Sequence, residues 1–270
     1  MRLDFTKMNG AGNDFIMIDD HRHGSLSLSS SQIGKLCDRH RGIGADGLLI
    51  LESGKTTLYR MRYYNADGHE AEMCGNGARC FTRYLARILG EQSGKISFQT
   101  EAGILTGELL GDQVRLMMSN PHSIQLSKSI PLPDQEYEVH AINTGVPHAL
   151  IFVKDIELAP VIEVGRQLRH HSHFSPAGTN VNFVQILESR SLLIRTYERG
   201  VEDETLACGT GIVAAALIYH LISRIPGPIS VLARGGDRLE VDFDSSSITQ
   251  VTLTGPADFV FEGNIDLENF

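Results

Sequence analysis

The sequence predicts an α+β fold of two pseudo-symmetric domains, each a set of strands wrapped around one long helix. Three observations lead there. Cys74 and Cys208 each sit directly before a Gly-X-Gly turn ("MCGNGARC" and "ACGTGIVA"), and shifting the chain by the 134 residues between them (208 − 74) aligns much of the rest. The repeat is domain-sized, which means two copies of a domain rather than a solenoid. Within each copy, strand-like runs outnumber helical ones.

The internal match fixes the elements in order. "GNDFIMI" (12 to 18) falls on "VPHALIF" (146 to 152), "GADGLLIL" (44 to 51) on "GTNVNFVQ" (178 to 185), and "YNADG" within one residue of "YERG". The register slips by one after each cysteine. "ISFQTEAGILTGEL" then matches "ISVLARGGDRLEVDF", and the copies close at "MSNP" and "LTGP". The domains are therefore expected at 1–120 and 121–256. The runs "FIMID", "LLILE", "LYRMRYY" and "ISFQT" read as strands between glycine, asparagine and aspartate turns. "SSSQIGKLCDRHRG" reads as a short amphipathic helix with serine caps, apolar Ile33, Leu36 and Cys37, and a stop at Gly42; its counterpart starts near Pro160. From Asn76 to Leu89, Arg79, Arg83 and Arg87 recur every fourth position opposite Phe81, Tyr84, Leu85 and Ile88, with Gly90 after. That pattern predicts an exposed arginine face and a buried apolar face. The twin, "GTGIVAAALIYHLI", is apolar nearly all round and should be buried on all sides.

Composition narrows the function classes. With 270 residues and 41% apolar content the chain can bury a large core, and its net charge of −9 without a basic block argues against nucleic acid or an anionic membrane as partner. A small soluble ligand suits it better. The opening "MRLDFTKMNG" lacks a signal-peptide core and no apolar run reaches membrane-span length, so a cytoplasmic protein is expected. None of the four cysteines forms a CxxC pair, so free thiols are expected rather than zinc ligands or disulfides.

A thiol at a helix start has a chemical use. The first turn carries N–H groups without intrahelical partners and a partial positive charge, so it can bind a carboxylate and favour thiolate over thiol. Glycines at 75, 77, 209 and 211 are expected to clear a ligand's approach to those N–H groups. If the halves fold about a pseudo-two-fold axis, the two helix starts would face each other across a cleft. Inverting a carbon acid needs one group to remove a proton and another to deliver one to the opposite face, and a thiolate and a thiol do this in either direction. The carboxylate beside the reacting carbon, held by helix termini, would have its developing charge stabilised, and no cofactor or metal would be needed.

These residues resemble the diaminopimelate epimerase family. "GNDF", "GIGADGL", "NADGHEAEMCGNGARC", "GVPHA", "GTNVNFV" and "YERGVEDETLACGTG" occur in the family's order over nearly the whole chain. The resemblance implies two mostly antiparallel or mixed β-sheet barrels, each around a central α-helix, with 257–270 returning to the first. It implies pyridoxal-independent interconversion of LL- and meso-diaminopimelate in lysine and peptidoglycan biosynthesis, and a homodimer. By the same resemblance Cys74 and Cys208 are the acid/base pair, and Gly75, Asn76, Gly209 and Thr210 donate N–H groups to the reacting carboxylate. Asn13, Asn65, Asn180, Glu198 and Arg199 match substrate-binding positions, while His148 and Glu198 match side chains that tune the cysteines. Two positions depart from many members: Gly47 stands where glutamine is usual and Val146 where asparagine is usual, each removing a polar contact to substrate.

Other readings stay open. A proline or hydroxyproline racemase-like enzyme also uses two cysteines, but a cyclic imino acid offers no distal group for Glu198 and Arg199. A cysteine hydrolase or transferase could use Cys74 with His148, leaving Cys208 idle. A binding protein would leave the α-hydrogen untouched. Cys37 and Cys80, on helical stripes, read as core residues. "GIGADG" satisfies GxGxxG but precedes a strand instead of a helix, so it is not read as a nucleotide site. The histidines of "HHSH" (170 to 173) read as a solvated loop, not a metal site.

Overall fold

A computed structural model describes residues 2–22, 26–71 and 73–269. The chain forms two compact units, Met1–Leu116 with Gly255–Phe270, and Met117–Thr254.

In the first unit, β1 (Arg2–Gly10) and β2 (Asn13–Asp19) form a hairpin that closes through Ala11 and Gly12, both at positive φ. The chain then crosses through α1 (Ser30–Cys37) to β3 (Gly47–Ser53), which runs parallel to β2 with Phe15 opposite Gly47. An intervening helix is what a parallel pair requires. β4 (Tyr59–Asn65) returns antiparallel to β3, and after β5 (Glu70–Ala71) the chain enters α2 (Gly75–Leu89). A meander of β6 (Gly94–Thr100), β7 (Gly103–Leu110) and β8 (Gln113–Met117) follows.

The second unit repeats this order with one addition in front. β9 (His122–Pro131) pairs antiparallel with β10 (Glu136–Asn143), which pairs with β11 (Pro147–Phe152); α3 (Val161–Arg169) then leads to β12 (Asn180–Glu188), parallel to β11. β13 (Ser191–Glu198), β14 (Asp203–Thr205), α4 (Gly209–Ser223), β15 (Ile229–Ala233), β16 (Arg238–Asp244) and β17 (Thr249–Pro256, as far as Thr254) complete it. The first unit's counterpart of β9 comes last in the chain: β18 (Asp258–Asp266) pairs antiparallel with β1, as β9 does with β10. The tail thus supplies the strand that the first copy lacks at its own start.

The result is a sheet-dominated α+β fold with mixed strand directions. α2 packs against β1, β2, β3, β4 and β7, and α4 against β10, β11, β12, β13, β15 and β16, so each long helix is surrounded by strands of its own unit. Close packing on α2 depends on Gly107 of β7, where a Cβ would collide with Thr82. α4 is buried along almost its whole length, as its all-round apolar composition requires.

Two local expectations need correction. α1 is capped by Ser29, whose side chain accepts from the Gln32 N–H while the Gln32 side chain accepts from the Ser29 N–H, but the helix ends at Cys37 and not at Gly42. Asp38 stops it: its carboxylate accepts from the N–H groups of His40 and Arg41 and turns the chain. In α2 the arginines do not share an exposed face. Arg79 is fully buried, donating to the carbonyls of Gly10 and Pro256 and to Asn76 Oδ1, whereas Arg87 is exposed and Arg83 half-buried. A guanidinium that ties α2 to a neighbouring turn outweighs the surface preference its four-residue spacing suggests.

Candidate active site

Cys74 and Cys208 occupy the same structural position, the N-cap of α2 and of α4, with extended backbone angles (φ −135°, ψ 122° and φ −118°, ψ 107°). Each cysteine carbonyl accepts the first helical hydrogen bond, from Ala78 at 2.8 Å and from Ile212 at 2.9 Å. Neither side chain caps its helix, so sulfur stands where serine or aspartate would turn back onto the first-turn N–H groups. The other cysteines are core residues. Burial pushes both the Cys37 and Cys80 thiols up to about 12, keeping them protonated and unreactive.

The glycines divide into two kinds. A Cβ at Gly75 would meet nothing within 4 Å, so the first turn of α2 is open there. Gly77 and Gly211 are in addition tight packing positions. A Cβ at Gly77 would press on Leu49 and Phe15 at 3.3 and 3.4 Å, and one at Gly211 would lie 2.5 Å from Asn182 Oδ1.

In the first unit Asn13 and Asn76 are joined directly. Asn76 Nδ2 donates to Asn13 Oδ1 at 2.8 Å, Asn13 Nδ2 donates to Asp46 Oδ2 at 2.7 Å, and Arg79 donates to Asn76 Oδ1 at 3.0 Å. Asp46 and Asp14 share Arg39, and Lys7 lies 2.8 Å from Asp14 Oδ2. Burial alone would raise the Asp14 carboxyl, but hydrogen bonds and charge from Arg39 and Lys7 hold it well below the usual carboxylate range. Asn65, at the end of β4, accepts at Oδ1 from the Tyr63 hydroxyl at 2.8 Å. Gly47, opposite Asn65 across the β3–β4 ladder, cannot carry a side chain: a Cβ would sit 2.6 Å from the Tyr64 carbonyl and 2.7 Å from the Tyr63 ring. The departure at Gly47 is therefore coupled to Tyr63, whose hydroxyl brings a polar group to Asn65.

In the second unit Cys208, Thr210 and His148 form a contiguous cluster. Cys208 Sγ lies 3.5 Å from Thr210 Oγ1, which lies 3.0 Å from His148 Nε2. His148 Nδ1 lies 3.1 Å from Asn182 Nδ2, which also donates to the Ala149 carbonyl at 3.0 Å, while Asn182 Oδ1 accepts from Thr196 Oγ1 at 3.0 Å. Burial, with a contribution from the Arg199 charge, pushes His148 down to about 3, so its ring is neutral. Asn180 holds the next turn: its Oδ1 accepts from the Arg199 N–H at 2.8 Å and its Nδ2 donates to the Pro147 carbonyl at 3.3 Å. The half-buried Glu198 carboxylate accepts from the Thr205 hydroxyl at 2.8 Å, and Arg199 Nη1 donates to the Ala177 carbonyl at 3.0 Å. Gly209 is buried in the first turn of α4 beside these groups. The Val146 carbonyl accepts from the Thr144 N–H at 3.2 Å. His170 and His173 contact Glu202 and Gln125, and among the described residues no three acidic, histidine or cysteine side chains gather as metal ligands.

Sequence reasoning missed Asn182, Thr196, Asp46 and Tyr63. The signal for Asn182 was there: polar Asn180 and Asn182 fall on one face of a strand that is otherwise apolar at its start, and a buried amide in such a strand needs partners.

The family model for diaminopimelate epimerase matches residues 5–124 and 140–260. The chain belongs to the diaminopimelate epimerase family. A diaminopimelate epimerase of Aquifex aeolicus is 39% identical over 278 residues, covering 98% of this chain and 99% of that one. A diaminopimelate epimerase of Chlorobaculum tepidum is 41% identical over 264 residues, covering 96% and 100%. Among solved structures, a phenazine biosynthesis protein of the PhzF family from Bacillus anthracis superposes with a TM-score of 0.75 at 15% identity, over 98% of this chain and 99% of that one. A hydroxyproline epimerase from Agrobacterium vitis gives 0.71 at 15% identity, over 98% and 92%. At that identity these two bear on the fold, which they share with this member of the diaminopimelate epimerase family.

Proposed function

We propose that this isomerase interconverts LL- and meso-diaminopimelate without pyridoxal phosphate, with Cys74 and Cys208 as the acid/base pair. The observation that carries the reading is the equivalence of the two cysteines: each is the N-cap of the one long helix of its unit, in an extended conformation. One sulfur, as thiolate, takes the α-proton; the other, as thiol, gives a proton to the opposite face of the carbon. The two exchange roles when the reaction runs in reverse. N–H groups of Gly75, Asn76, Gly209 and Thr210 hold the carboxylate next to the reacting carbon and offset the charge that develops there. Asn13, Asn65, Asn180, Glu198 and Arg199 take the distal ammonium and carboxylate, with Arg199 suited to a bidentate grip and Glu198 to the ammonium. No metal or organic cofactor enters these steps. The reading includes a cytoplasmic homodimer in lysine and peptidoglycan biosynthesis without nucleic-acid or membrane partners; sedimentation measures the assembly.

Incubation of the purified, reduced protein with LL-diaminopimelate in deuterated water tests the reaction. Loss of the α-proton NMR signal together with formation of the meso isomer is expected with no added pyridoxal phosphate. Binding without exchange would leave a binding protein instead.

A further inference from the structure

The cluster behind Cys208 has a direction, set by which atoms are obliged to donate. Asn182 is fully buried, and its amide orientation is fixed at both ends: Nδ2 must face the Ala149 carbonyl, and Oδ1 accepts from Thr196. The same Nδ2 therefore presents a hydrogen to His148 Nδ1, which can only accept. A neutral imidazole that accepts at Nδ1 carries its proton on Nε2. That proton points to Thr210 Oγ1 at 3.0 Å, and the threonine's own hydroxyl hydrogen is left to point elsewhere. Cys208 Sγ lies 3.5 Å from Oγ1, within reach for sulfur as acceptor. Thr144 keeps Thr210 in place by donating to its carbonyl at 2.9 Å. Gly211 belongs to the same device, since any side chain there would strike Asn182 Oδ1.

We infer that Asn182 is a positioning residue that fixes the His148 tautomer, so that the Thr210 hydroxyl donates to the Cys208 sulfur and favours its thiolate. The relay runs Thr196 to Asn182 to His148 to Thr210 to Cys208. It rests on the reading of Cys208 as an acid/base group. The corresponding residue of α2, Asn76, sends its amide to Asn13, so the relay marks the second helix in particular.

The experiment has two arms that do not depend on turnover. Imidazole ¹⁵N NMR of the full-length protein at pH 7 should show His148 as the Nε2–H tautomer; the Nδ1–H tautomer would overturn the inference. In the second arm, the rate of iodoacetamide alkylation at Cys208 is followed against pH by peptide mass spectrometry. Thr210→Val should move that profile up by about one pH unit, lowering the rate at pH 7 about tenfold. Thr210→Ser should restore it to within about twofold, which a purely structural role would not do. Asn182→Ala should shift the profile in the same direction as Thr210→Val. An unchanged profile in Thr210→Val overturns the relay, while inversion by Cys208→Ala would overturn the role of Cys208 itself.

Discussion

The buried His148 ring makes stability depend on pH with a sign and size that can be worked out. His148 is 1% exposed, its Nδ1 faces an amide hydrogen of Asn182, and the Arg199 charge opposes protonation. The folded value of about 3 lies below the ordinary 6.5, so between those limits the unfolded chain takes up a proton that the folded chain refuses. The stabilisation is therefore complete above pH 6.5 and is lost as pH falls, at about 1.4 kcal/mol per unit. At pH 4.5, two units below 6.5, the loss from this one group is about 2–3 kcal/mol. Urea unfolding followed by circular dichroism at pH 7.0 and 4.5, for the natural protein and for His148→Gln, isolates it. The natural protein should lose about 2–3 kcal/mol more than the variant between the two pH values, since all other groups titrate in both. Losses that agree within about 0.5 kcal/mol would refute the buried, neutral ring.

Three other outcomes follow from the packing. Gly75→Ala should leave thermal stability unchanged or slightly raised, because nothing lies within 4 Å of the added methyl, whereas Gly211→Ala should cost about 1–3 kcal/mol by pushing into Asn182; calorimetry on both variants checks the contrast. Tyr63→Phe, which removes the donor to Asn65, should raise KM for diaminopimelate about fivefold with the fold intact, while Gly47→Gln should fail thermally because its Cβ has no room against Tyr63 and Tyr64. Asp14→Asn should lower stability by about 2 kcal/mol by leaving buried Lys7 without its carboxylate. Because the folded Asp14 value lies below the ordinary 3.8, its contribution is present above that pH and lost on further acidification, and acid titration of variant and natural protein should converge there.

The helix starts were legible because cysteine, glycine and the end of an apolar period are local signals, and the repeat made each half a check on the other. The same holds for α3 after Pro160 and for the strands around "FIMID" and "LLILE". What could not be read was decided by contacts remote in sequence. Arg79 has the spacing of a surface residue, but the carbonyls that bury it come from positions 10 and 256. Gly77 and Gly211 read as ligand-clearing glycines, and the packing of Phe15, Leu49 and Asn182 against them could not be seen from the sequence. Gly47 looked like a lost contact; it is the space that Tyr63 needs. His148 was expected to act on the cysteines, yet its route to one of them passes through Thr210, whose side chain the sequence left without a role.

The central claim is that inversion needs both sulfurs, and the direct measurement is the rate of LL-to-meso conversion by Cys74→Ala and by Cys208→Ala, each compared with the natural protein under reducing conditions. Each variant should fold normally and lose net inversion by at least about a hundredfold. Near-natural conversion by either one would contradict the two-thiol account.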